Sequence, residues 1–163
     1  MKYNPAIHDR HSYRLRGFDN ASERSYYLTL NTKYRQQLFG QIVNGKMILN
    51  EAGKVAHQCW LDIPLHFPHA QIHAFVIMPD HIHGIIELTK YKGNGRIGLF
   101  ESPEKTIGSI VSGYKIGVTK WMRNNTEIYE VWQSGYYDHI IRNFPAFCRI
   151  TDYIYANPKK WNK

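Results

Sequence analysis

Cysteine is scarce in this chain. Only Cys59 and Cys148 occur among 163 residues, with no metal-type spacing, which argues against a disulfide scaffold or a zinc ribbon. Both read as reduced, buried small residues of a cytoplasmic protein. No apolar run approaches the roughly eighteen residues of a membrane-spanning helix, so no membrane role is expected. The opening Met1-Lys2-Tyr3-Asn4-Pro5 lacks the apolar core of a signal peptide. Acidic residues are also few, 13 against 21 Lys and Arg. There is no internal repeat.

What is present is positive charge and aromatic surface. The formal net charge is +8, which favours a polyanionic partner. Tyr, Trp and Phe among the basic residues point to single-stranded nucleic acid, whose bases stack on aromatic rings. A hydrophobic content of 43% fits a folded globule of ordinary single-domain size. Residues 1–24 carry His8, Arg10, His11, Arg14, Arg16 and Arg24 without periodicity, a basic N-terminal arm preceding one domain over 25–163.

Within that domain, Ser25–Thr32 reads as a strand. Phe39–Val43 and Lys46–Leu49 flank Asn44-Gly45, the strongest short-range hairpin signal. Asn50 caps a helix through Leu61, with Val55, Cys59 and Ala52 as its inner stripe, and Pro64 and Pro68 beyond it. Ala70–Met78, a Pro79-Asp80 turn and a strand from His81 form a second hairpin. After a glycine-containing segment over 90–105, Ile107, Ile110, Val111, Tyr114, Val118, Trp121 and Met122 recur at helical spacing. Tyr129–Gln133 and Tyr136–Ile141 look extended. Asn143 and Pro145 open a last helix that runs to Asn157 and stops near Pro158, with Phe147, Ile150 and Ile154 inward. Strands joined by tight turns and followed by helices imply an α+β fold with helices packed on an antiparallel sheet.

The chemistry concentrates in Val76–Leu88. His81, His83, Ile85 and Glu87 share one face of the strand; Ile82, Gly84, Ile86 and Leu88 share the other. Two imidazoles so placed can reach one metal ion. In the last helix, Tyr153 and Asn157 are four apart and lie on one face, whereas Tyr155 is turned roughly 200° from Tyr153. An amide and a tyrosine could complete such a site, with Mg²⁺ or Mn²⁺ suited to mixed imidazole and oxygen donors. The same spacing equally allows Tyr153 to pack the helix and Asn157 to cap it. A histidine-triad hydrolase would need a third histidine near position 85, which is Ile85. A two-histidine phosphoesterase would need His-x-Ser/Thr motifs, and neither histidine starts one.

Met78–Gly84, Tyr136–Asn143 and Asp152–Pro158, together with Tyr13–Asp19 and the Asn44-Gly45 hairpin, resemble the REP-associated tyrosine transposases. These are single-tyrosine members of the HUH superfamily, and the likeness spans nearly the whole chain. It implies a ferredoxin-like (RRM-like) antiparallel sheet with packed helices, an HUH-type core. It also implies a metal-dependent single-stranded DNA endonuclease and strand transferase acting on palindromic hairpin DNA through a 5′-phosphotyrosine intermediate. His81, His83 and Asn157 would then hold the metal and Tyr153 would be the nucleophile. Arg14, Arg16, Lys115 and Lys120 would help hold DNA. A monomer is favoured over a homodimer. The rival is a non-catalytic RRM-like single-stranded nucleic-acid-binding protein. The transposase reading requires His81, His83 and Asn157 to converge on one point beside the Tyr153 hydroxyl.

Overall fold

The computed structural model describes residues 24–89 and 106–162. The expected arm with Arg14 and Arg16, and the segment over 90–105, therefore lie outside the described residues. Arg24 already belongs to the first strand, β1 (Arg24–Asn31).

Next comes the predicted hairpin, β2 (Gly40–Val43) and β3 (Lys46–Leu49). Asn44 and Gly45 both adopt positive φ, 51° and 72°, the backbone that a tight two-residue hairpin turn demands. The Asn50 side chain caps α1 (Glu51–Leu61) by accepting from the Gly53 amide. Pro64 then sits in the first turn of a short α2 (Ile63–His66) rather than in a loop, where its missing N–H costs nothing. Strands β4 (Ala70–Ile77) and β5 (His81–Leu88) follow, then α3 (Ile107–Asn125), β6 (Tyr137–Ile141) and α4 (Phe144–Ala156). Tyr129–Gln133 forms no strand, contributing a single bridge between Trp132 and Thr32. Pro158 does not end the last helix abruptly; the chain tightens into a 3-10 turn over Asn157–Lys160.

Four strands form one sheet in the order β4-β5-β1-β6, and every neighbouring pair is antiparallel. β1 thus runs parallel to β4 across a gap filled by β5, and β5 parallel to β6 across a gap filled by β1. These are two split βαβ units crossed over by α1 and α3, the ferredoxin-like arrangement.

One face of the sheet holds the main core. Tyr26, Leu28 and Leu30 of β1 and Ile82, Ile86 and Leu88 of β5 meet Trp60 of α1 and Ile110, Tyr114 and Val118 of α3. The inner stripe of α1 is Ala52, Gly53, Ala56 and Trp60; Ala52 is as expected, but Val55 and Cys59 are only half-buried. Trp60 takes the central place because Gly84 leaves room for its ring. The opposite face is covered by α4, whose Phe147, Ile150 and Ile154 pack on Ala74, Val76 and Ile85. The expectation of two buried cysteines fails: Cys148 is exposed and Cys59 half-buried, both as free thiols. Among the described residues no helix is long and apolar enough to cross a membrane.

Candidate metal centre and nucleophile

The site lies on the α4 face of the sheet. The β4–β5 turn is closed by the Met78 amide donating to the His81 carbonyl at 2.8 Å. Thr32 grips the same turn, its amide and hydroxyl both donating to the Asp80 carbonyl at 3.0 Å. This fixes the start of β5 and aims His81 and His83 at the same side. Their rings lie 4.5 Å apart, edge to face.

Each imidazole is held through Nδ1. At His81, Nδ1 lies 2.6 Å from the Asp80 carboxylate. At His83, Nδ1 lies 2.9 Å from both the Tyr27 and the Thr29 hydroxyls, which β1 presents through the pairing of Thr29 with His83. A ring anchored at Nδ1 offers Nε2 to a ligand, the arrangement by which outer hydrogen bonds orient metal-binding histidines. Burial pushes the His83 pKa down to about 3, helped by the neighbouring His81 and Arg35. Burial also lowers that of His81, against opposing effects from Asp80 and a hydrogen bond to Asn157. Both rings are therefore neutral at pH 7, the form that donates a lone pair to a metal.

Asp80 is completely buried. Arg35 forks over it, Nε to Oδ2 at 3.1 Å and Nη2 to Oδ1 at 3.2 Å, while its Nη1 donates to Asn31. Tyr34 and Arg35 both hold left-handed backbone, φ 55° and 54°, which L-residues adopt at a cost of about 1–2 kcal/mol each.

The last helix closes the site. Tyr153 packs edge-on against His83, ring centroids 5.6 Å apart, and keeps 47% of its surface exposed. Lys160 Nζ lies 6.0 Å from the centre of the Tyr153 ring, and Trp161 stacks over His81 at 6.2 Å. Asn157, at the helix end, donates through Nδ2 to the Tyr153 carbonyl at 3.0 Å, and its side chain also hydrogen-bonds His81. His81, His83, Tyr153 and Asn157 all line one open cleft of about 430 Å³. Among the described residues no three His, Cys, Asp or Glu side chains gather at one point. A metal in this cleft would thus take two neutral imidazoles and the Asn157 amide as its protein donors. That set leaves positions open for phosphate and water and suits an oxygen-preferring divalent ion.

The structure thus brings together four of the eight residues singled out from the sequence. Lys115 and Lys120 sit on α3, across the sheet from the cleft. The Lys115 ammonium donates to the carbonyls of Gln133 and Gly135 at 3.1 and 2.6 Å, so it ties a loop to the helix. Tyr27, Thr29, Arg35, Lys160 and Trp161 were not singled out. Only Asp80, inside the Met78–Gly84 motif, carried any local signal, and there it read as a turn residue.

No family model matches the chain. It is 45% identical over 171 aligned residues to an uncharacterized protein of Haemophilus influenzae, covering 99% of this chain and 95% of that one. Among solved structures it is similar to a REP-associated tyrosine transposase bound to a REP hairpin, with a TM-score of 0.62 and 21% identity over 91% of this chain and 72% of the other. It is also similar to a proposed transposase of Deinococcus radiodurans, with a TM-score of 0.51 and 18% identity over 86% of this chain and 94% of that one. The chain belongs to one family with the Haemophilus influenzae protein and has the α+β fold of the REP-associated tyrosine transposase.

Proposed function

We propose that the protein is a metal-dependent single-stranded DNA endonuclease and strand transferase, a transposase acting on palindromic hairpin DNA. The observation that carries this reading is the half-exposed Tyr153 ring seated on His83, one helical turn from Asn157 and in the same cleft as His81. The net charge of +8 and a fold shared with a transposase bound to a DNA hairpin support it.

In the proposed reaction Tyr153 Oη attacks the scissile phosphorus and loses its proton to solvent. The bond from phosphorus to the 3′ oxygen breaks, and that oxygen leaves as a hydroxyl after taking up a proton. The product is a 5′-phosphotyrosine, and attack on it by a 3′-hydroxyl reverses the step and joins strands. A Mg²⁺ or Mn²⁺ held by His81, His83 and Asn157 would polarise the phosphate as a Lewis acid. Asp80 and the Tyr27–Thr29 hydroxyl pair keep the two imidazoles in position. A monomer is the proposed working unit.

A 3′-labelled single-stranded hairpin oligonucleotide tests the reading. With Mn²⁺ it should become covalently attached to the wild-type protein and to Tyr155→Phe, but not to Tyr153→Phe or in the presence of a chelator. An adduct that survives Tyr153→Phe and disappears in Tyr155→Phe overturns the nucleophile. Tight binding without any adduct would instead favour a non-catalytic nucleic-acid-binding module.

A further inference from the structure

We propose that Tyr137 is the platform on which an unpaired DNA base stacks beside the scissile phosphate, a proposal that rests on the DNA-nicking reading of the cleft. Thr29 of β1 pairs with His83 on one side and with Tyr137 on the other. The three residues therefore form one cross-strand row on one face of the sheet. With strands about 4.8 Å apart, the Tyr137 backbone stands about 10 Å from that of His83.

The rings repeat this alignment. Tyr27 occupies the middle, hydrogen-bonded to His83. Tyr153 meets it edge-on at 6.4 Å and Tyr137 edge-on at 6.1 Å. The nucleophile candidate and Tyr137 thus lean on the same half-buried ring, and each keeps nearly half its surface in solvent, 47% and 46%. The central ring serves both as a wedge.

Among the described residues β6 is an edge strand, and α4 begins beyond its far end. Ile141, at that end, packs with Phe147 and Ile150 of α4, while Tyr137, at the cleft end, stands outside both hydrophobic clusters. Tyr137 thus presents a half-exposed aromatic ring on the sheet face that carries the cleft, in a protein whose charge favours a polyanion. A nucleobase fits that surface because every base has a face to stack, and a strand with its phosphate at Tyr153 brings the adjoining base over the sheet.

The test is a double-mutant cycle between protein and DNA. Binding of a labelled single-stranded oligonucleotide carrying a short hairpin is measured by anisotropy, with an abasic site moved through its single-stranded flank. Tyr137→Ala should weaken binding roughly tenfold, within the range measured for a base stacked on an aromatic ring, while Tyr137→Phe should bind as wild type. At one flank position, removing the base should weaken the wild type by a similar factor and leave Tyr137→Ala unaffected. Additive losses at every position, or undiminished binding by Tyr137→Ala, overturn the platform. Because binding is read without the adduct, a wild type that binds but never forms one counts against the nicking reading alone.

Discussion

A buried carboxylate has to be paired, and Asp80 has a forked guanidinium to offset its charge on one side and a hydrogen bond to His81 on the other. The left-handed pair at Tyr34 and Arg35 is strain of the kind that persists only when surroundings over-determine it. The two-pronged grip of Arg35 on Asp80 and its bond to Asn31 supply that determination. With Arg35 paired to it, the Asp80 carboxylate accepts from Nδ1–H of His81, the tautomer that leaves Nε2 with its lone pair. Asp80→Asn keeps the shape and removes the charge. It should lower Mn²⁺ affinity by about 10- to 100-fold, the usual effect of losing a carboxylate behind a metal-bound histidine, as read by calorimetric titration of the apo protein. Unchanged affinity would mean that Asp80 only closes the turn.

At the scale of elements, the fit of α1 on β5 depends on one missing methyl group. A Cβ at Gly84 would lie 2.2 Å from the Trp60 ring. That ring cannot retreat, because Phe75 stacks on it at 5.7 Å and Tyr114 meets it edge-on at 5.2 Å. Gly84→Ala should therefore cost about 2–3 kcal/mol through overpacking and lower Tm by roughly 5–10 °C, with partial recovery when Trp60→Leu is added. An unaltered melting curve would show that Trp60 has room to move. The same contact marks the limit of what sequence reveals. Local signals located the Asn44-Gly45 turn, the Asn50 and Asn143 caps and the stripe of α3, because each is written within a few neighbouring residues. The inner face of α1 was misread since its centre is decided by a glycine on a distant strand. The metal candidates were legible for a similar reason: His81 with His83, and Tyr153 with Asn157, are close pairs with their own periodicity. Tyr27, Thr29 and Arg35 were not, because they reach the site only through the register of β1 against β5 and the backbone turn that follows it.

For the molecule as a whole, the sheet divides the labour between its faces. One is filled with hydrocarbon beneath α1 and α3. The other carries the cleft and the half-exposed Tyr137. The positive charge is not divided so simply, since a lysine counted towards DNA binding can already be occupied. Lys115 is such a case: its ammonium is partly buried, which lowers its pKa, and it is bonded to two carbonyls. Arg14 and Arg16 lie outside the described residues, and their sequence context is a basic stretch preceding β1. Phosphate contacts are distinguishable from structural cations by salt. Each contact to a single strand contributes about 0.7 to the slope of log K against log salt concentration. Replacing Arg14 and Arg16 together with alanine should flatten that slope by about 1.4 and leave the melting temperature unchanged. Lys115→Ala should do the reverse, lowering the melting temperature while the slope stays as in the wild type. A slope indifferent to the two arginines would remove them from the DNA-binding surface, and a flattened slope in Lys115→Ala would put that lysine on it.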